Sequence, residues 1–134
     1  MITLNELKVE SKRIKKIIFN IDPIGKPRMV RSDIWSGRKS VSQYWAYKDL
    51  LKAEAYRKRY KIKDTLRIKF FIQMPESWSK KKKKMMENKP HDSKPDIDNL
   101  LKGFLDCLME NDSKVYKVET SKYWAAKGYI EIMI

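Results

Sequence analysis

Six apolar residues recur at helical spacing late in the chain: Ile97, Leu100, Leu101, Phe104, Leu105 and Leu108. They fall at i, i+3, i+4, i+7, i+8 and i+11, which predicts a helix with one apolar face. Such a helix must lie on a sheet or another helix to cover that face. Pro95 suits the start of the helix and Asp96 is a favourable N-cap. Asp98, Lys102 and Asp106 sit at i, i+4 and i+8 and share a second, polar stripe. The periodicity runs out near Glu110-Asn111, and Asp112 opens a segment that reads as a strand. A strand returning along the helix would bring Asp112 back towards Asp96 and Asp98. The helix would then present two carboxylates at its start, a lysine one turn on, and a third carboxylate from its neighbour.

Carboxylates held together repel, and a hard divalent cation relieves the repulsion. Oxygen-rich acidic sites suit Mg²⁺, or Mn²⁺ in its place. A metal so held can activate water and stabilise the charge that develops on a phosphodiester. A nearby lysine can offset the added negative charge of the transition state. The pattern therefore fits a metal-dependent nuclease. Spacing alone equally allows Asp96 as a simple cap, Asp98 as a first-turn charge and Asp112 as a turn residue.

The run Pro95-Asp96-x-Asp98-Asn99-x-x-Lys102, then Asp106, then Asn111-Asp112-Ser113-Lys114-Val115, resembles the RusA-type Holliday junction resolvases of bacteria and their phages. Upstream, Gly25-Lys26-Pro27-Arg28-Met29 is similar to that family's basic K-P-R segment, and the resemblance extends from about Ile17 to the C-terminus. The resemblance implies that Asp96, Asp98 and Asp112 are metal-binding catalytic aspartates and that Lys102 is the catalytic lysine. It also implies a homodimer acting on branched DNA. Asn111 stands where many members carry a second aspartate.

Charge points to a similar partner. The chain has 134 residues, with 31 Lys+Arg against 17 Asp+Glu, a formal net charge of +14. A surplus of this size favours polyanions, nucleic acid first, though its sign does not separate DNA from RNA or anionic lipid. The length suits one domain with a real core. No apolar run approaches the ~20 residues of a membrane span, and Met1 to Arg13 has no apolar signal core. A cytoplasmic protein without a membrane partner is expected. Cys107 is the sole cysteine and His91 the sole histidine, which excludes an intrachain disulfide and a zinc site of several Cys and His. Cys107 lies within the amphipathic helix and reads as a small core residue rather than a nucleophile. There is no glycine-rich phosphate loop, so no small-molecule cofactor is expected.

Taken in order, residues 1–13 read as a loose N-terminal arm or short helix. Ile14 to Ile21 reads as a strand, broken by Pro23 and Gly25. Gly25 to Lys39 is a basic loop in which Lys26, Arg28 and Arg31 are candidate phosphate contacts and Trp35 a candidate stacking residue. A helix is expected over 43–59, capped by Ser42, with Tyr44, Tyr47, Leu51 and Ala55 on its core face. Leu66 to Met74 reads as a strand ended by Pro75. Ser77-Trp78-Ser79 opens a short helix carrying Lys80, Lys81, Lys82, Lys83 and Lys84, candidate contacts to a nucleic-acid backbone. Asn88 to Pro95 is a loop delivering the chain to the acidic motif, with neither His91 nor Asp92 taken as a ligand. Val115 to Trp124 and Lys127 to Ile134 read as two further strands.

The sum is a single α+β domain: a mixed sheet of about four strands with helices packed on it. The expected function is a Mg²⁺-dependent endodeoxyribonuclease that resolves four-way junctions by paired cuts. One carboxylate set per chain agrees with a two-fold dimer, because two matched cuts need two sets. The alternatives are a non-catalytic basic nucleic-acid-binding protein and an RNA-associated basic protein.

Overall fold

The structure is a computed structural model and describes residues 15–27 and 39–134. Expectations that fall on residues 1–13, Arg28, Arg31 and Trp35 lie outside the described residues. Among the described residues the elements are β1 (Lys16–Phe19), α1 (Lys39–Arg57), β2 (Thr65–Gln73), α2 (Lys80–Met86), α3 (Ile97–Leu108), a 3-10 turn (Asp112–Lys114), β3 (Lys117–Ala125) and β4 (Tyr129–Met133). The strands form one mixed sheet in the order β1-β4-β2-β3. β4 is antiparallel to both β1 and β2, whereas β3 is parallel to β2. The fold is α+β, as the sequence led one to expect.

Alternation explains the sheet. Leu66, Ile68 and Phe70 of β2 point to one face and are at most 2% exposed, while Arg67 and Lys69 point away from that core. Ile130 and Ile132 of β4 join them, and Phe19 of β1 completes the apolar sheet face. Helices α1 and α3 cover it. Phe104 meets Phe19 and Phe70 edge-on, with ring centroids 6.3 and 6.4 Å apart. From α1 come Tyr44, Tyr47, Leu51 and Ala55, all buried as their spacing predicts. Cys107 is buried too, at 1% exposure, and belongs to this core.

Parallel pairing of β2 with β3 requires a crossover, and α2 and α3 lie within it. The crossover sends the chain from the end of β2 to the start of β3 along the length of α3. Two smaller differences from the expected elements have local causes. Helix α1 is already helical at Lys39, so Ser42 is inside it rather than at its cap. The segment at Asp112 forms a 3-10 turn before the strand begins, with Asn111 as its cap accepting a hydrogen bond from the Ser113 amide at 3.0 Å. No helix among the described residues is long and apolar enough to cross a membrane.

Candidate active site

Helix α3 carries most of the acidic motif. Its apolar stripe is as expected: Leu100, Phe104 and Leu105 are buried and Ile97, Leu101 and Leu108 are half-buried. Asp98 and Lys102 lie exposed on the opposite side. Asp96 occupies the N-cap position with extended backbone (φ −67°, ψ 150°), yet its side chain makes no capping hydrogen bond. A cap without a capping bond forgoes the contact that makes aspartate favourable there, worth about 1 kcal/mol. Asp96 is instead exposed to solvent, two residues before the exposed Asp98. Asp98 accepts a hydrogen bond from the Asn99 amide at 2.9 Å.

The segment before α3 is held by the free edge of β3. The Trp124 amide donates to Lys89, the Asn88 amide to Trp124 and the His91 amide to Lys122, so residues 88–91 run against β3 as a short antiparallel ribbon. Lys122 then reaches past this ribbon. Its Nζ donates to the Ser93 carbonyl at 2.6 Å and to the Pro95 carbonyl at 2.9 Å. Both carbonyls lie just before Asp96, so one strand lysine fixes the backbone that launches the acidic motif.

Below this ribbon His91 is 4% exposed and packs on Trp124 with ring centroids 4.1 Å apart. Its Nδ1 has no hydrogen-bond partner among the described residues. Burial, with the Lys122 charge adding to it and Asp92 opposing, holds the imidazole pKa below its usual value. His91 is thus a neutral packing group under the loop.

On the other side, the Gly25-Lys26 segment crosses α3. The Lys26 amide donates to the Asn99 carbonyl at 3.2 Å, and Lys26 Nζ pairs with Asp106 at 2.5 Å. The crossing is close. A Cβ on Gly103 would lie 3.2 Å from the Lys26 nitrogen and 3.3 Å from the Ile24 oxygen, and one on Gly25 would lie 2.9 Å from Pro95 Cβ. Glycine costs roughly 1 kcal/mol relative to alanine inside a helix, so Gly103 reflects this packing rather than helix formation. The basic segment and the acidic helix are therefore one structural unit. Lys26, expected to contact phosphate, is already paired with the third member of the polar stripe, Asp106. Lys80 to Lys84 lie on α2, which buries no residue, and Lys82 Nζ sits 4.1 Å from the Trp78 ring centroid.

One expected juxtaposition is absent within a chain. Strand β3 does return along α3, and its Lys122 reaches the helix start, but Asp112 precedes the strand. The Tyr116 amide bonds to the Asp64 carbonyl at 2.9 Å, and Thr65 pairs with Lys117, which fixes this segment at the start of β2. Asp112 thus stays near the C-terminal end of α3. A 12-residue helix is about 18 Å long, so Asp112 is far from Asp96 and Asp98 of the same chain. Among the described residues no three His, Cys, Asp or Glu side chains come together as a metal site. The sequence pattern could not reveal this, because it depends on where the strand begins relative to the turn.

The chain has known relatives. Residues 20–134 match the model of the endodeoxyribonuclease RusA family. The chain belongs to that family. The match takes in the Gly25-Lys26 segment, α3, the 3-10 turn and all of β2, β3 and β4. Among curated proteins, the uncharacterized protein YqaN of Bacillus subtilis (strain 168) is 37% identical over 76 residues, half of this chain. The chain spans about half the length of that relative, 53%.

Proposed function

We propose that this chain is a Mg²⁺-dependent endodeoxyribonuclease acting on four-way DNA junctions as a homodimer. The observation that carries the reading is the Asp96 side chain. In a chain of the RusA family it sits at a helix cap without capping, next to the exposed carboxylate of Asp98.

The donor set suits the metal. Two carboxylates with no histidine or cysteine beside them offer hard oxygen ligands, and Mg²⁺ commonly takes one or two carboxylates and keeps several waters. Asp96 and Asp98 would hold it. When bound, the ion supplies a lowered pKa for a coordinated water and charge stabilisation at the phosphate. Lys102, one turn further on the same exposed stripe, meets the negative charge that builds on the phosphate oxygens. Lys122 keeps the backbone before Asp96 in place, so the two carboxylates need not reorganise when substrate arrives.

Asp112 enters the same site from the second chain. In one chain it is a helix length from Asp96, but a two-fold axis between antiparallel α3 helices lays the end of one helix against the start of the other. Each of the two sites then takes Asp96 and Asp98 from one protomer and Asp112 from its partner. The same symmetry gives the two matched cuts that a four-way junction needs. A net charge of +14 and the exposed lysines of α2 support binding to the junction arms. A cytoplasmic location, where such DNA would be met, agrees with this reading.

A non-catalytic nucleic-acid-binding protein is the second reading, favoured by the separation of Asp112 from Asp96 within one chain. Purified protein incubated with a synthetic four-way junction separates the two. The proposal expects nicked and resolved duplexes with Mg²⁺ and only a bound complex without it. Binding with no Mg²⁺-dependent cleavage would leave the second reading standing.

A further inference from the structure

A groove of about 1080 Å³ runs between α1 and the C-terminal half of α3. Its walls carry Lys48, Lys52, Lys61 and Lys114, with Trp45 on the α1 side. None of these four lysines has a carboxylate within ion-pair distance among the described residues. Asp106 also lines the groove, but Lys26 already neutralises it, which leaves Glu110 as the one unpaired acid there among the described residues. The groove is therefore strongly positive along its length.

Trp45 gives the charge a second partner. Its indole is 47% exposed on a helix where Tyr44 and Tyr47 beside it are buried. Lys48 Nζ lies 5.2 Å from its ring centroid. An exposed indole with a lysine over it, in a basic groove, combines the two features that bind unpaired strands. Lysines track the phosphates and the aromatic face takes a base. A duplex hides the faces of its bases in its own stack and cannot use the indole. Asn111 and Lys114, on either side of Asp112, also line the groove.

We infer that this groove holds a single DNA strand with a base stacked on Trp45, leading unpaired nucleotides at the branch point towards the turn that carries Asp112. Its place in junction cleavage rests on the nuclease proposed above, whereas strand binding itself does not.

The test measures binding of an oligothymidine to the whole protein without Mg²⁺, for wild type, Trp45→Ala, Trp45→Phe and Lys52→Ala/Lys61→Ala. Loss of one stacked base at about 1–3 kcal/mol gives roughly 5- to 150-fold weaker binding for Trp45→Ala. Trp45→Phe keeps a ring and should recover most of it. The double lysine variant should lower the slope of log affinity against log salt by roughly 0.7 for each phosphate of the single strand that is no longer neutralised. Affinity for a fully paired duplex should be unchanged in Trp45→Ala. Wild-type oligothymidine binding by Trp45→Ala would overturn the inference. So would failure of Trp45→Phe to rescue, a change in sedimentation showing that Trp45 lies between protomers, or tighter binding of oligouridine, which would make the groove an RNA site. If Mg²⁺-dependent cleavage is absent while the Trp45 dependence holds, the strand site stands and the nuclease reading fails.

Discussion

Lys122, on the edge strand β3, donates through Nζ to the carbonyl of Pro95 at 2.9 Å, one residue before Asp96. A second bond from the same amine, to Ser93 at 2.6 Å, makes a clamp on the segment that starts the acidic motif. Among the described residues neither carbonyl is part of a sheet or helix ladder.

Replacing Lys122 by methionine keeps most of the side-chain stem and removes both bonds. At about 0.5–1.5 kcal/mol for each hydrogen bond, stability against unfolding should fall by roughly 1–3 kcal/mol. Junction cleavage should fall more than this stability change explains, through kcat rather than KM, because the carboxylates lose their fixed backbone. Unchanged kcat in the methionine variant would remove Lys122 from the site.

Gly103→Ala tests the crossing of the Gly25-Lys26 segment over α3. On helix propensity alone alanine should stabilise by roughly 1 kcal/mol. The added Cβ meets two backbone atoms at 3.2 and 3.3 Å, neither of which can swing away like a side-chain end. Overpacking of this kind costs about 1–3 kcal/mol, so denaturant unfolding should show a net loss. A more stable alanine variant would show that the crossing yields without cost.

The buried neutral His91 gives the loop a response to acid. The unfolded chain binds a proton as pH falls through about 6.5, while the folded chain resists it because its imidazole pKa is lowered by burial. Stability from this group is therefore full above about pH 6.5 and declines as pH falls below it. His91→Phe, which keeps a ring against Trp124, should flatten the dependence of Tm on pH as it falls from neutrality through this range. Parallel curves for the two proteins would show that His91 does not govern it.

The lysines of α2 can be tested without risk to the core, since that helix buries no residue. Replacing Lys80, Lys81 and Lys84 by alanine should leave Tm nearly unchanged. If they touch duplex phosphates, the slope of log affinity against log salt should flatten by roughly 0.9 for each phosphate no longer neutralised. An unaltered slope would place the junction arms elsewhere.

How much of the molecule is legible in its sequence depends on the range of the interaction. The stripe from Ile97 to Leu108 marks α3 because helical period is a local property, and alternation marks Leu66, Ile68 and Phe70 for the same reason. The cap position of Asp96 is also readable, but its idle side chain is not. That depends on rotamer and surroundings. Asp112 was expected to return to Asp96 because the strand after it runs back along the helix. The strand begins only at Lys117, after a 3-10 turn, so the return carries Lys122 to the motif and leaves Asp112 behind. Lys122 itself gives no signal, since a lysine bonding to carbonyls of a distant loop has no period or motif. The pairing of Lys26 with Asp106 is hidden likewise: each reads as part of its own segment, 80 residues from the other.

A site that draws Asp96 and Asp98 from one protomer and Asp112 from its partner is tested most directly by complementation between inactive variants. Asp98→Asn and Asp112→Asn should each abolish Mg²⁺-dependent nicking of a four-way junction, since a neutral amide holds the ion poorly. In a mixed dimer, made by co-expressing the two variants under different tags, one site carries both substitutions and the other carries neither. That dimer should regain nicking of one strand without paired resolution. If both variants are inactive alone and the purified mixed dimer is inactive too, Asp112 does not act across the dimer and the shared site is contradicted.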